Sequence, residues 1–160
     1  MVSGFGGGSA APAIEAEIEL LCFWAADEEY AIEILRVQEI KGDTILTRIP
    51  NTPAHVLGVT NLRGAIIPII DLRLKFGLPC EAHGQLPVVI IGFIGDKTVG
   101  LAVDAVSDVV DIAADDVQPT PELATASDGG AIRGIAHAAN RLIALLDLDA
   151  IATADVAAAA

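Results

Sequence analysis

The chain has 160 residues, 53% of them hydrophobic, and 22 acidic against 9 basic side chains give a formal charge of −13. So acidic a chain argues against nucleic acid and anionic membrane surfaces as partners; the charge reads first as a generally acidic, soluble surface, and as acid-driven recognition it would favour a partner with a basic face. No apolar run approaches the roughly 20 residues that cross a bilayer; PVVIIGFI (87–94) is bounded by Gly95-Asp96 and reads as a buried strand, so no membrane insertion is expected.

Residues 1–16 are rich in Gly and Ala, lack Lys and Arg, and have no apolar segment of a secretory signal; they read as a flexible tail. Residues 153–160 read as a second, fraying tail, and 17–152 as one domain. At its start Ile18, Leu20, Cys22 and Trp24 alternate with Glu17 and Glu19, the period of a half-buried strand. Ala26-Asp27-Glu28 is a turn, and Tyr30, Ile32 and Ile34 alternate with Glu29 and Glu33, which makes a hairpin. RVQEI (36–40) continues extended, and NTPAHVLG (51–58) is a loop. VTN and AIIPII (65–70) form a second hairpin about a turn at Leu62-Arg63-Gly64. Pro68 cannot donate to a ladder, so its strand is expected at a sheet edge or bulged there. Asp71 is placed to N-cap a short helix, LRLKF, with Gly77 as its stop.

The chain also repeats itself. Shifted by 69 residues, 19–40 falls on 88–109: Leu20 meets Val89, Cys22 meets Ile91, Trp24 meets Phe93, Asp27 meets Asp96 and Glu39 meets Asp108. Shifted by 76, 56–72 falls on 132–148: Gly58 meets Gly134, and Asp71-Leu72 meets Asp147-Leu148. The difference between the shifts fits the longer Pro-, Ser- and Gly-containing loop at 118–130. Short strands at regular spacing with turns between them predict an all-β fold of two SH3-like, five-stranded barrels packed side by side, with short helices.

Enzyme signatures are missing. GFGGGS (4–9) follows no strand and precedes no Lys, and GVTNLRG (58–64) has Ala65-Ile66 where a phosphate loop needs Lys-Ser/Thr. His55, His83 and His137 share no ligand spacing, and Asp104, Asp108, Asp111, Asp115 and Asp116 fit no calcium loop and read as solvated positions. Cys22 and Cys80 show no metal or redox spacing and are expected to stay reduced in a cytosol. No catalytic residue, metal or cofactor is expected.

Arg63 is the unusual residue, a permanent charge at the mouth of an apolar strand. Its equivalent in the second repeat is Ala139, while Gly64 falls on Asn140, so the turn does not need the arginine. Arg63 is either an ordinary exposed turn residue or has work beyond the turn. Glu39, a carboxylate on an otherwise apolar strand face, is its expected partner, within about 6 Å.

EEYAIEILRVQEI, RIPNTPAHVLGVTNLRGAIIPIIDLRLKFGLP, TVGLAVDAVSDVVDI and LIALLDLDAI, in that order, resemble the CheW family of bacterial chemotaxis coupling proteins from about Glu17 to Ile151. The resemblance implies two pseudo-symmetric five-stranded β-barrels and no catalysis. It implies a cytoplasmic adaptor that bridges the cytoplasmic tip of a chemoreceptor to the regulatory domain of the histidine kinase CheA. Carried over by position, Arg63 and Glu39 match the family's polar pair, which implies the receptor-facing surface. Ala31, Ile34 and Val37 of the first barrel, with Val99 and Gly100 of the second, match a groove for the receptor tip, and Gly58 matches the glycine opening the GVxNLRG strand. The other readings are a CheW-like adaptor of another chemosensory pathway, such as pilus motility, and a small-molecule-binding barrel, which needs a deep pocket with convergent polar groups.

Overall fold

A computed structural model describes residues 17–42, 44–77, 88–119, 131–138 and 140–151. The two tails, Cys80, His83 and Ala139 lie outside the described residues. The strands are β1 (Glu17–Ala25), β2 (Glu28–Glu33), β3 (Val37–Lys41), β4 (Val56–Leu62), β5 (Ala65–Asp71), β6 (Val88–Ile94), β7 (Lys97–Val103), β8 (Ala105–Ala113), β9 (Val117–Pro119), β10 (Ile132–Ala138) and β11 (Arg141–Leu146). Single 3-10 turns, Ile34–Arg36 and Ala114–Asp116, precede β3 and β9, a short helix, α1 (Leu72–Lys75), follows β5, and the described residues 148–151 are helical after β11. Among the described residues no helix is long and apolar enough to cross a membrane.

The strands form two sheets in the orders β9-β10-β11-β2-β1-β8 and β3-β6-β7-β5-β4. Each sheet takes its leading hairpin from one repeat and its remaining strands from the other. The exchange is made by two parallel pairings, β2 with β11 (Tyr30 opposite Ala144) and β5 with β7 (Ile70 opposite Leu101). Ala31 opposite Leu145 and Gly100 opposite Ile69 are the same pair under the 69- and 76-residue shifts. The edge pairings agree as well, since Val37 opposite Gly92 corresponds to Val106 opposite Phe23. The duplication read from the sequence is therefore a duplication of register.

Leu20, Cys22, Ala31, Ile143 and Leu145 fill the interior of the six-stranded sheet, and Leu62, Ile67, Ile69, Val89 and Ile91 that of the five-stranded one. A third cluster, including Leu21, Phe23, Tyr30, Ile70, Ile90, Leu101 and Leu146, forms the seam between them. This explains a departure from the expected half-buried first strand. Leu20 to Phe23 are all buried, because one face of β1 lines its own sheet's core and the other faces the seam. Trp24, grouped by alternation with the inward residues, comes at the strand's end and is 39% exposed.

Three further expectations are refined. One sheet has six strands rather than five; the extra one is the three-residue β9. Its counterpart in the other sheet is reduced to one bridge, in which Thr47 and Val59 exchange both backbone hydrogen bonds at 2.8 Å. Pro68 is on an interior strand, not an edge; the ladder to β7 starts one residue later, at Ile69, so no bond is lost there. The bulge lies across the hairpin, between Val56 and Gly58. The predicted helix forms: the Asp71 carboxylate accepts from the Arg73 and Leu74 amides, and Gly77 follows at φ +66°. Asp147, its repeat, accepts from the Ala150 amide at 3.2 Å.

Polar ties cross the seam. Asp104 accepts from the Ala26 amide at 2.6 Å and from the Arg73 guanidinium at 2.9 Å, and Arg73 also reaches Asp71 at 3.3 Å. Arg36 donates to the Phe93 carbonyl at 3.1 Å and pairs with Asp149.

Candidate functional site

The β4–β5 turn has φ +53° at Arg63 and +88° at Gly64, the signs of a two-residue type I′ hairpin, and Asn61 Oδ1 accepts from the Gly64 amide at 2.9 Å. Glycine and asparagine suit both central positions of such a turn; an arginine held there costs about 1–2 kcal/mol. The side chain spends that cost on a contact. Arg63 Nη2 lies 2.7 Å from Glu39 Oε1, with the arginine 66% and the glutamate 25% exposed. The expected pair is present. It joins edge strand β3 to the turn beyond the opposite edge strand, β4, and so draws the sheet toward closure. Exposed Ile40 follows Glu39 on β3, exposed Ile66 lies just past the turn on β5, and exposed Phe93 comes from β6.

The six-stranded sheet carries the same surface. Ile40, Ile66 and Phe93, exposed by 46%, 64% and 39%, fall on Val109, Leu142 and Trp24, exposed by 48%, 64% and 39%. Nothing about folding a core requires three large apolar side chains to be left out twice in the same places. Such a patch beside a fixed charge is what a protein-docking face needs. Asp108 replaces Glu39, and its arginine arrives from Arg141, at the start of β11, with contacts of 3.1 and 3.3 Å. Arg141 holds the Asp108 carboxyl below its ordinary range, with Ser107 adding a hydrogen bond.

Arg141 sits deeper than Arg63. Its Nη2 is also 3.5 Å from Glu29 Oε2 and 3.9 Å from Cys22 Sγ. Cys22, Glu29 and Asp108 bring ligand-type atoms within 4.8 Å of one another, but a guanidinium already answers their charge. Burial first, then Glu29 and Asp108, push the Cys22 thiol up to about 11. A protonated thiol is a poor metal ligand.

Other residues singled out from the sequence lie elsewhere. Ala31 and Gly100 are equivalent positions, both enclosed where the parallel strands meet. A Cβ on Gly100 would meet Val89 Cγ1 at 2.9 Å as well as the end of Ile69. Val99 is fully buried in the seam and shares a sheet with Val37, not the opposite barrel. None of the three offers a side chain to a partner; they are small or buried so that the sheets can pack. Gly58 is also structural. It has φ +149°, and a Cβ there would collide with the Thr47 carbonyl oxygen and sit 2.9 Å from its carbon. Gly134 repeats the arrangement, with Gln118 O at 2.5 Å from such a Cβ. Ile34 and Val37 are half-buried against the seam cluster, beside the exposed Leu35, and keep an accessible edge where the sheets meet. On the second face Asp108 reads from the sequence as a solvated position, although Glu39 falls on it in the repeat alignment, and no sequence signal singles out Arg141.

The CheW-like domain pattern matches residues 19–156. The chain is 42% identical over 137 residues to chemotaxis protein CheW of Klebsiella aerogenes, covering 86% of this chain and 82% of that protein. It is 39% identical over 133 residues to chemotaxis protein CheW of Rhizobium meliloti, covering 83% and 86%. The crystal structure of the scaffolding protein TtCheW from Thermoanaerobacter tengcongensis superposes with a TM-score of 0.78 at 34% identity, covering 84% of this chain and 91% of that one. On its sequence, its twofold-repeated sheets and its solved relative, the chain belongs to the CheW family.

Proposed function

We propose that the protein is a cytoplasmic, non-enzymatic adaptor of chemotaxis signalling that holds two proteins at once. The observation carrying this reading is the pair of equivalent faces, each with an acid–arginine contact beside three exposed apolar side chains. One partner is the regulatory domain of a CheA-type histidine kinase and the other the cytoplasmic tip of a chemoreceptor. The relatives named as chemotaxis and scaffolding proteins support this assignment.

On this reading each of the two faces docks one partner, and the accessible edge at Ile34, Leu35 and Val37 receives the apolar face of the receptor-tip helix. The adaptor acts by mass action and geometry: holding kinase and receptor together biases the kinase between its states in proportion to its differential contact with them. The test is a calorimetric titration of the full chain with the CheA regulatory domain from the same cell, repeated with a receptor-tip fragment and then with both. Binding to each without mutual exclusion supports the reading. Binding to neither overturns the pathway while leaving the fold.

A further inference from the structure

Beneath the second face lies an open cavity of about 650 Å³. Trp24 and Leu142 give it an apolar wall, Asp27, Glu28 and Glu29 an acidic lip, and Arg141 a floor. The Glu29 side chain is 5% exposed, and its Oε2 accepts no hydrogen bond; the contact to Arg141 is an ion pair at 3.5 Å. Arg141 in turn is claimed by Asp108. The cavity lining thus carries three carboxylates and one guanidinium, and that guanidinium is already paired with Glu29 and Asp108, so Asp27 and Glu28 leave the cavity net negative.

The repeat supplies a control. The β6–β7 hairpin has the same turn as β1–β2, with Gly95 at φ +60° where Ala26 has +56°. Yet Asp27, Glu28 and Glu29 are matched there by Asp96, Lys97 and Thr98. The hairpin does not need three acids. The apolar side chains and the acid–arginine pair are kept on both faces, and the hairpin acids are not, so the fold of the hairpin leaves these acids unexplained.

We propose that this cavity receives a lysine or arginine side chain of a partner protein, with an apolar neighbour of that residue covering Leu142. The acids and the tryptophan suit the cation. A free amine would leave Leu142, 64% exposed, and Val109 uncovered, so a side chain within an apolar segment fits better than a small cation. The inference rests on the adaptor reading only in expecting a protein partner.

Trp24 is the only tryptophan, so its fluorescence reports on the cavity directly. The probe is leucyl-arginyl-leucine blocked at both ends, titrated into the full chain. A saturable change that weakens with salt is expected, and D27N/E28Q, at two exposed lip positions, should weaken it about tenfold. E29Q is a second variant, with folding checked by circular dichroism. Four results overturn the proposal: no change up to about 10 mM peptide; equal binding of the glutamyl analogue; equal binding of arginine amide alone; or an unchanged response in D27N/E28Q. Sedimentation at the same concentrations covers the remaining occupant, for self-association abolished by D27N/E28Q would make a second copy the ligand and overturn the assignment. Failure of the peptide leaves the kinase and receptor titrations untouched, so the two readings fail separately.

Discussion

Replacing Arg63 by asparagine should separate stability from binding. Arg63 is held at φ +53°, where a non-glycine residue costs about 1–2 kcal/mol, and asparagine recovers roughly 0.5–1 kcal/mol of this. Against that stands the ion pair to Glu39. A surface pair contributes about 0.2–1 kcal/mol, and the lower part applies because Arg63 is two-thirds exposed. The two terms nearly cancel, so R63N should unfold in urea within about 0.5 kcal/mol of the parent. Partner binding has no such offset. An arginine at the centre of a docking face contributes about 1–2 kcal/mol or more, a five- to thirtyfold loss of affinity on removal. The assay is a urea melt together with calorimetric titration against the CheA domain and the receptor fragment. A loss of stability above about 2 kcal/mol, or unchanged affinity for both partners, would refute the reasoning, since Arg63 would then be a structural residue or an idle one.

Other outcomes follow from the same geometry. Gly58→Ala should cost about 2–5 kcal/mol, from a strained φ plus loss of the Thr47–Val59 bridge; Gly134→Ala, with collision but no positive φ, should cost less, and denaturant midpoints give the order. Cys22 should resist iodoacetamide at pH 8 in the folded protein, with about one thousandth of a thiol titrating near 11 ionised; labelling of a C80S variant, read by mass spectrometry, tests this, and rapid modification without unfolding would contradict it. The folded Asp108 carboxyl titrates below its unfolded value, so its stabilising contribution is present above that value and lost as pH falls through the folded one. R141Q should move the Asp108 titration back up, as followed by carboxylate NMR, and an unmoved curve would mean that Arg141 is not the cause.

Much of the fold was legible because its signals are local. Alternating residues, the Asp71 cap, Gly77 and the repeated Gly-to-Asp interval each state a conformation within a few positions. The Glu39–Arg63 pair was legible for another reason: the repeat shows the same turn built without arginine. What escaped was set by the other half of the chain. Leu21 and Phe23 are buried by a seam whose opposing residues lie about 50 to 125 positions away. Pro68 is tolerated inside a sheet because β7 begins its ladder one residue late. Ala31, Val99 and Gly100 looked like a groove and are packing positions, a distinction that only burial draws.

The crossing of hairpins between repeats has a consequence for how the protein is made. Tyr30 must wait for Ala144, and Gly100 must find Ile69, before either parallel pairing exists. Such distant pairing slows folding and leaves strand edges open while synthesis proceeds. A chain cut between Gly77 and Val88 yields two fragments, neither able to complete a sheet alone, that should recover the native fold when mixed. The molecule has the connectivity of a domain-swapped dimer whose two protomers have been joined into one polypeptide.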